Sequence, residues 1–109
     1  MAVIEHFHQD FLRWREATFA ERAELMKAAA RILHGNKKEY VRLMAKEMGK
    51  PLAGGRAEAE KRAWACDYYA DNAEGFLASE PVETDASHSF IAYEPLGVVL
   101  AVMPWNFPF

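Results

Sequence analysis

The sequence predicts an α/β fold that opens with helices and closes on the first strand of a sheet that this chain does not complete. Apolar residues recur at helical spacing through about the first 78 positions. The pattern then becomes β-leaning, and residues 98–102 form a continuous apolar run of strand length. Such a run is typical of a strand covered on both faces, as in a parallel sheet. Because one buried strand cannot satisfy its own backbone groups, the other strands are expected outside this sequence.

The first two helices are expected at 1–14 and 19–34. The first is short and carries an apolar face through Ile4, Phe7, Phe11 and Trp14. The second starts at a capping box, in which the Thr18 hydroxyl and the Glu21 carboxylate satisfy free backbone N–H groups. We expect it to stop at Gly35 in a left-handed conformation.

Two further helices follow, at about 37–48 and 56–77. Gly49-Lys50-Pro51 ends the earlier one, because proline cannot continue a helix. The later one has an apolar stripe of Ala59, Ala63, Cys66, Ala70, Ala73 and Leu77. The charge run from Arg56 to Arg62 on the same helix is interpreted as a solvated face.

The β-leaning part begins after Pro81. Residues 82–94 are short and mixed, with 90–93 as the clearest strand, and Pro95 and Gly97 then break the chain. The apolar run 98–102 follows directly.

Composition indicates one soluble domain of ordinary type. Hydrophobic residues make up 51% and charged residues 27% of 109 positions, with a net charge of −3. No basic block predicts nucleic-acid binding, and no apolar stretch approaches the ~20 residues that a membrane span needs. The four histidines are too scattered to predict a metal site. The lone cysteine, Cys66, fits a reducing cytoplasm and is interpreted as a packing residue on a helix.

The chemistry is expected where the apolar run ends, at Pro104-Trp105-Asn106. In α/β sheets, ligands bind just beyond the carboxyl ends of strands. The amide of Asn106 offers donors to an oxyanion that forms only during a reaction. Taken alone, the same three residues are equally compatible with a tight turn.

The segment from Glu94 to Pro108 resembles the aldehyde dehydrogenase superfamily, whose hallmark is a glycine-valine strand running into Pro-Trp-Asn-Phe-Pro. Weaker similarities lie upstream, at the helix beginning with Arg22, at Glu47-Met48-Gly49-Lys50-Pro51, at Glu58 and at Tyr68-Tyr69-Ala70. A methionine before Pro-Trp-Asn is most similar to the succinate-semialdehyde dehydrogenase branch. The resemblance covers essentially the whole sequence.

The resemblance implies a role for each residue of the segment. Asn106 would stabilise the oxyanion of the thiohemiacetal formed from an aldehyde and a thiolate. The site of the nicotinamide cofactor, NAD or NADP, would be lined by Val102, Met103, Pro104 and Trp105. The family's cysteine nucleophile, glutamate base and phosphate-binding glycines would lie far downstream of Phe109, so this sequence alone is expected to be inactive.

The resemblance also implies an organisation. Residues 1–80 would be the helical segment of the cofactor-binding domain, 81–96 a bridging hairpin of the oligomerisation type, and 97–109 the first strand and turn of a Rossmann-like domain. The parent enzyme would be a cytoplasmic homo-oligomer, a dimer or tetramer, acting on a small aldehyde such as succinate semialdehyde. The alternative is a non-catalytic truncated product or helical interaction module, in which 98–109 is an oligomerisation patch.

Overall fold

A computed structural model describes residues 2–108. Within this range the chain forms four α-helices and then a two-stranded antiparallel sheet. The elements are α1 (Ala2–Trp14), α2 (Phe19–Gly35), α3 (Lys37–Met48), α4 (Leu52–Phe76), β1 (Glu80–Pro81) and β2 (Phe90–Ile91). No helix of the described range is both long and apolar enough to cross a membrane.

Helix α2 begins at the predicted capping box. The Glu21 amide donates to the Thr18 hydroxyl at 3.2 Å, and the Thr18 amide donates to the Glu21 carboxylate at 2.8 Å. These two bonds satisfy donors that the first turn of a helix leaves free. The prediction of the start of α2 is confirmed.

The predicted left-handed conformation of Gly35 at the end of α2 is wrong. Gly35 does not adopt a left-handed conformation but stays helical as the last residue of α2. Asn36 ends the helix instead, since both its amide N–H and its side-chain Nδ2 donate to the Ile32 carbonyl, at 3.0 and 3.1 Å. A side chain that satisfies a terminal carbonyl makes a left-handed glycine unnecessary.

The turn between α3 and α4 forms at the predicted place. Gly49 has a φ of 71°, and its N–H donates to the Ala45 carbonyl at 3.0 Å. Pro51 then precedes α4, which starts at Leu52, four residues before the predicted start. Gly54 and Gly55 lie inside this first turn, although glycine is a weak helix former.

The core lies where α4 packs along α2 and α3. Its buried apolar side chains are small or slender: Ala30, Val41, Met44, Ala59 and Ala63. Gly55 permits the close approach of α3 to α4, because a Cβ at this position would lie 3.3 Å from Val41 Cγ1. Cys66, predicted to be largely buried, is half-buried on α4.

Helix α1 lies outside this core and contributes no buried residue. Arg22 of α2 contacts the carboxyl end of α1. Its guanidinium donates to the Trp14 and Arg15 carbonyls, each at 3.1 Å, and lies over the Trp14 ring. The Trp14 and Trp64 side chains remain 47% and 59% exposed.

The sheet is shorter than predicted. Glu80 pairs with Ile91 and Pro81 with Phe90, so only part of the expected strand 90–93 forms. The Tyr93 hydroxyl donates to Glu80 and ties the end of β2 to β1.

The predicted first strand of a parallel sheet at 98–102 is not confirmed. No ladder hydrogen bonds form there within residues 2–108, and Val99, Leu100 and Val102 are 73%, 88% and 84% exposed. A strand is defined by its neighbours, and the described residues supply none for this run. The mainly helical architecture with a small hairpin therefore stands without the Rossmann-like element.

Candidate functional site

The candidate site is a groove of about 580 Å³ where the end of the chain meets the junction of α3 and α4. The chain turns between α3 and α4 at the left-handed Gly49, and Lys50, the next residue, lines this groove. The first turns of α4 supply the opposite wall, including Glu58, Lys61 and Arg62.

Residues 104–107 form a tight turn that closes the groove. The Phe107 N–H donates to the Pro104 carbonyl at 3.1 Å. Trp105 and Asn106 occupy the tip of this turn, and both line the groove together with Phe107. The turn geometry therefore agrees with the interpretation of Pro104-Trp105-Asn106 as a turn, and it directs Asn106 toward a cavity.

Lys50 joins the two walls. Its ammonium donates to the Glu58 carboxylate and to the Asn106 backbone carbonyl, the latter at 2.7 Å. The same nitrogen lies 4.3 Å from the centre of the Phe107 ring, within the range of a cation–π interaction. One cation thus contacts helix α4 and two residues of the turn.

The Lys50–Glu58 pair is buried. The side chains of Lys50 and Glu58 are 11% and 3% exposed. Because a buried charge is tolerated only when it is paired, each residue requires the other. The interpretation of the 56–62 charge run as a wholly solvated face is therefore wrong at Glu58.

The structure separates the predicted site residues into two groups. Asn106 and Trp105 line the groove, whereas Val102, Met103 and Pro104 lie outside its lining. Trp105 is 78% exposed. Within residues 2–108, the Asn106 carboxamide has no hydrogen-bond partner, although its backbone carbonyl is bound by Lys50. Its two amide hydrogens are therefore available to a ligand.

The buried pair was missed as a feature of the site, although the sequence contains a signal for Glu58. One face of this helix is formed by the positions i, i+3, i+4, i+7 and i+8, which are occupied by Gly55, Glu58, Ala59, Arg62 and Ala63. Ala59 and Ala63 were assigned to the core stripe, so the adjacent Glu58 shares their buried side. Its partner Lys50 lies beyond a turn and could be found only from the fold.

Comparison with known proteins decides the family. The profile of the aldehyde dehydrogenase family matches residues 1–109. The chain belongs to the aldehyde dehydrogenase family. The sequence-level resemblance at Pro104-Trp105-Asn106 is thereby confirmed.

Two curated members of the family are close in sequence. A probable succinate-semialdehyde dehydrogenase [NADP(+)] of Synechocystis sp. is 50% identical over 108 residues, which is 99% of this chain and 24% of that protein. Succinate-semialdehyde dehydrogenase [NADP(+)] 1 of Mycobacterium tuberculosis is 46% identical over 110 residues, which is 98% of this chain and 24% of that protein. The chain spans about a quarter of the length of these relatives.

Solved structures of the family agree with the fold. The succinic semialdehyde dehydrogenase of Streptococcus pyogenes, crystallised with NADP+ as the cofactor, superposes with a TM-score of 0.91 at 38% identity. A solved structure of Gox0499, from a study of its cofactor and substrate selection, superposes with a TM-score of 0.94 at 30% identity. Each covers 98% of this chain, which corresponds to 24% of either solved chain.

Proposed function

We propose that this sequence belongs to an NADP-dependent aldehyde dehydrogenase that oxidises succinate semialdehyde to the corresponding acid. The observation that carries the proposal is Asn106, which lies at the tip of a turn, lines the groove and has a carboxamide without a hydrogen-bond partner among residues 2–108. The relatives named as NADP-dependent succinate-semialdehyde dehydrogenases support the choice of cofactor and substrate.

In this proposal Asn106 is the catalytic residue of the segment. When a nucleophile attacks an aldehyde, the carbonyl oxygen gains negative charge. An amide N–H already aligned with that oxygen stabilises the charge without having to reorganise. The backbone carbonyl of Asn106 is held by Lys50, so the residue is fixed while its two amide hydrogens stay available.

The residues before Asn106 are proposed to hold the nicotinamide end of the cofactor, through Val102, Met103, Pro104 and Trp105. The exposed indole of Trp105 offers a flat apolar face, which suits an aromatic ring. Arg62, which lines the same groove, has a buried Nε without a partner among residues 2–108, and a guanidinium suits an anionic ligand. When bound, the nicotinamide ring supplies the acceptor for the hydride that leaves the substrate.

The apolar run 98–102 is proposed to be the first strand of a Rossmann-like sheet in the complete enzyme, with residues 1–80 as a helical part of the cofactor-binding domain. Its exposed valine and leucine side chains support this, because they are the residue types of a strand buried on both faces. The hairpin in 81–96 presents unpaired strand edges, which suit association between subunits. We propose a cytoplasmic homo-oligomer.

The test is an assay of the purified full-length enzyme that carries this sequence. Aldehydes of different chain length, with and without a carboxylate at the far end, are each assayed with NADP+ and with NAD+. We expect the highest kcat/KM for succinate semialdehyde with NADP+. Absence of turnover with every aldehyde and both cofactors would contradict the proposal and favour a non-catalytic interaction module.

A further inference from the structure

We propose that Lys50, which lies between α3 and α4, is a positioning residue that sets the orientation of the Asn106 carboxamide by holding the backbone of the 104–107 turn. The inference rests on the proposed function, because it assigns Asn106 the catalytic contact. Its physical part, the clamping of the turn by a buried ion pair, is independent of any substrate.

The clamp acts on a single peptide group. Lys50 donates to the oxygen of the peptide that joins Asn106 to Phe107, at 2.7 Å. The N–H of that same peptide donates to the Pro104 carbonyl at 3.1 Å and closes the turn. Hydrogen bonds in series polarise one another, so the ammonium strengthens the bond that defines the turn.

Glu58 fixes the ammonium in place. Glu58 lies on the buried face of α4 beside Ala59, and its carboxylate accepts a bond from Lys50. A lysine side chain with free rotamers would hold the turn weakly, because ordering it costs conformational entropy. Here the bond to the buried Glu58 carboxylate also restricts that side chain, so less of this cost falls on the bond to the turn.

Phe107 supplies the third contact. Its ring lies beneath the same ammonium, so the cation is surrounded by a carboxylate, a carbonyl and an aromatic face. Two of the three contacts, the carbonyl and the ring, belong to the turn, and the third, the Glu58 carboxylate, lies on α4. Together they fix the position of the turn relative to α4 at the point where Asn106 faces the groove.

The experiment compares Lys50→Met with the matched control Lys46→Met in the full-length enzyme. Both variants lose one positive charge, but Lys46 is an exposed residue of α3 outside this groove. Three quantities are measured: deuterium exchange at the Phe107 amide, the rate of single-turnover hydride transfer, and the Kd for NADP+.

For Lys50→Met we expect Phe107 exchange to accelerate by about tenfold or more and hydride transfer to fall by a similar factor, the size of one charged hydrogen bond. The Kd for NADP+ should change less than the rate, because the clamp acts on Asn106. Lys46→Met should leave all three quantities unchanged. Unaltered Phe107 exchange in Lys50→Met overturns the inference, whatever happens to the rate.

If Lys50→Met does not fold, two other measurements decide. Glu58→Gln keeps the shape of the partner but removes its charge, and it should accelerate Phe107 exchange by a smaller factor. The unsubstituted protein should protect the Phe107 amide against exchange, and an amide exchanging as fast as in an unstructured peptide overturns the inference. An unsubstituted enzyme without dehydrogenase activity contradicts the proposed function alone, since the exchange data still test the clamp.

Discussion

At the scale of single residues, the clearest electrostatic feature is the cap of α2. The Thr18 backbone N–H and then its hydroxyl bind the Glu21 carboxylate and lower its pKa from the ordinary 4.5. A carboxylate whose folded-state pKa is depressed stabilises the fold above its unfolded-state pKa. That contribution is lost as the pH falls through the folded-state value.

Glu21→Gln should therefore lower the free energy of unfolding near neutral pH, and the deficit should shrink as the pH is lowered from about 7 toward about 3. Glutamine can still accept the backbone bond of a capping box, so the difference isolates the charge. Urea unfolding at several pH values measures it. Glu24→Gln, which removes the same charge one turn further along α2, is the control. A deficit that stays constant with pH would contradict the assignment.

At the scale of elements, the contact between α3 and α4 depends on a residue without a side chain. A Cβ on Gly55 would approach Val41 Cγ1 to 3.3 Å and Met44 Cε to 3.4 Å. Gly75 lies in the last turns of the same helix, where a Cβ would meet nothing within 4 Å. On the same helix, Gly55 therefore packs closely against α3, whereas Gly75 has open space beside it.

Gly55→Leu should destabilise the protein by about 1–3 kcal/mol, because the added side chain forces two packed helices apart. Gly75→Leu should be neutral or slightly stabilising, since leucine is the better helix former. Thermal unfolding of both variants compares them. Equal effects of the two substitutions would show that Gly55 is not a packing constraint.

The starts of α2 and α4 differ in whether they could be predicted from the sequence. The start of α2 was predictable because a capping box is a local arrangement of two residues three positions apart. The early start of α4 was not, since Gly54 and Gly55 disfavour a helix locally, whereas Gly55 allows the close approach of α4 to Val41 in the fold. Tertiary packing overrode propensity at that point.

The candidate site divides in the same way. Trp105 and Asn106 were named as candidate site residues from a hallmark motif, which is a contiguous signal, whereas the groove that they line is visible only in the fold. Glu58 is paired with Lys50, eight residues away, and Lys50 in turn binds Asn106, 56 residues away. Contacts over such separations can be seen only in the fold. The strand at 98–102 could not form, because its pairing partners are not among the described residues.

At the scale of the whole molecule, the described residues form an elongated body of 60 × 35 × 24 Å. Its core is confined to α2, α3 and α4, while Leu96, Leu100 and Val102 are 97%, 88% and 84% exposed. A large exposed apolar segment of this kind is typical of a surface that contacts a partner.

The 109-residue polypeptide should therefore self-associate in a concentration-dependent manner. Leu100→Asp should reduce the association, because a charge inside the exposed run opposes its burial. Leu25→Asp, which places the same charge on the exposed side of α2, serves as the control. Light scattering over a concentration series measures the effect. A monodisperse monomer at high concentration would contradict the expectation.

The central claim is that Asn106 stabilises charge that develops in the reaction, and single-turnover hydride transfer in the full-length enzyme tests it most directly. Asn106→Ala should slow hydride transfer by a factor on the order of 10²–10³, as for other oxyanion-hole donors, with little change in the Kd for NADP+. Trp105→Ala should instead raise that Kd, and Asn72→Ala, which removes the same side chain from the surface of α4, should change neither. Near-normal hydride transfer in Asn106→Ala would contradict the account and leave Asn106 as a turn residue.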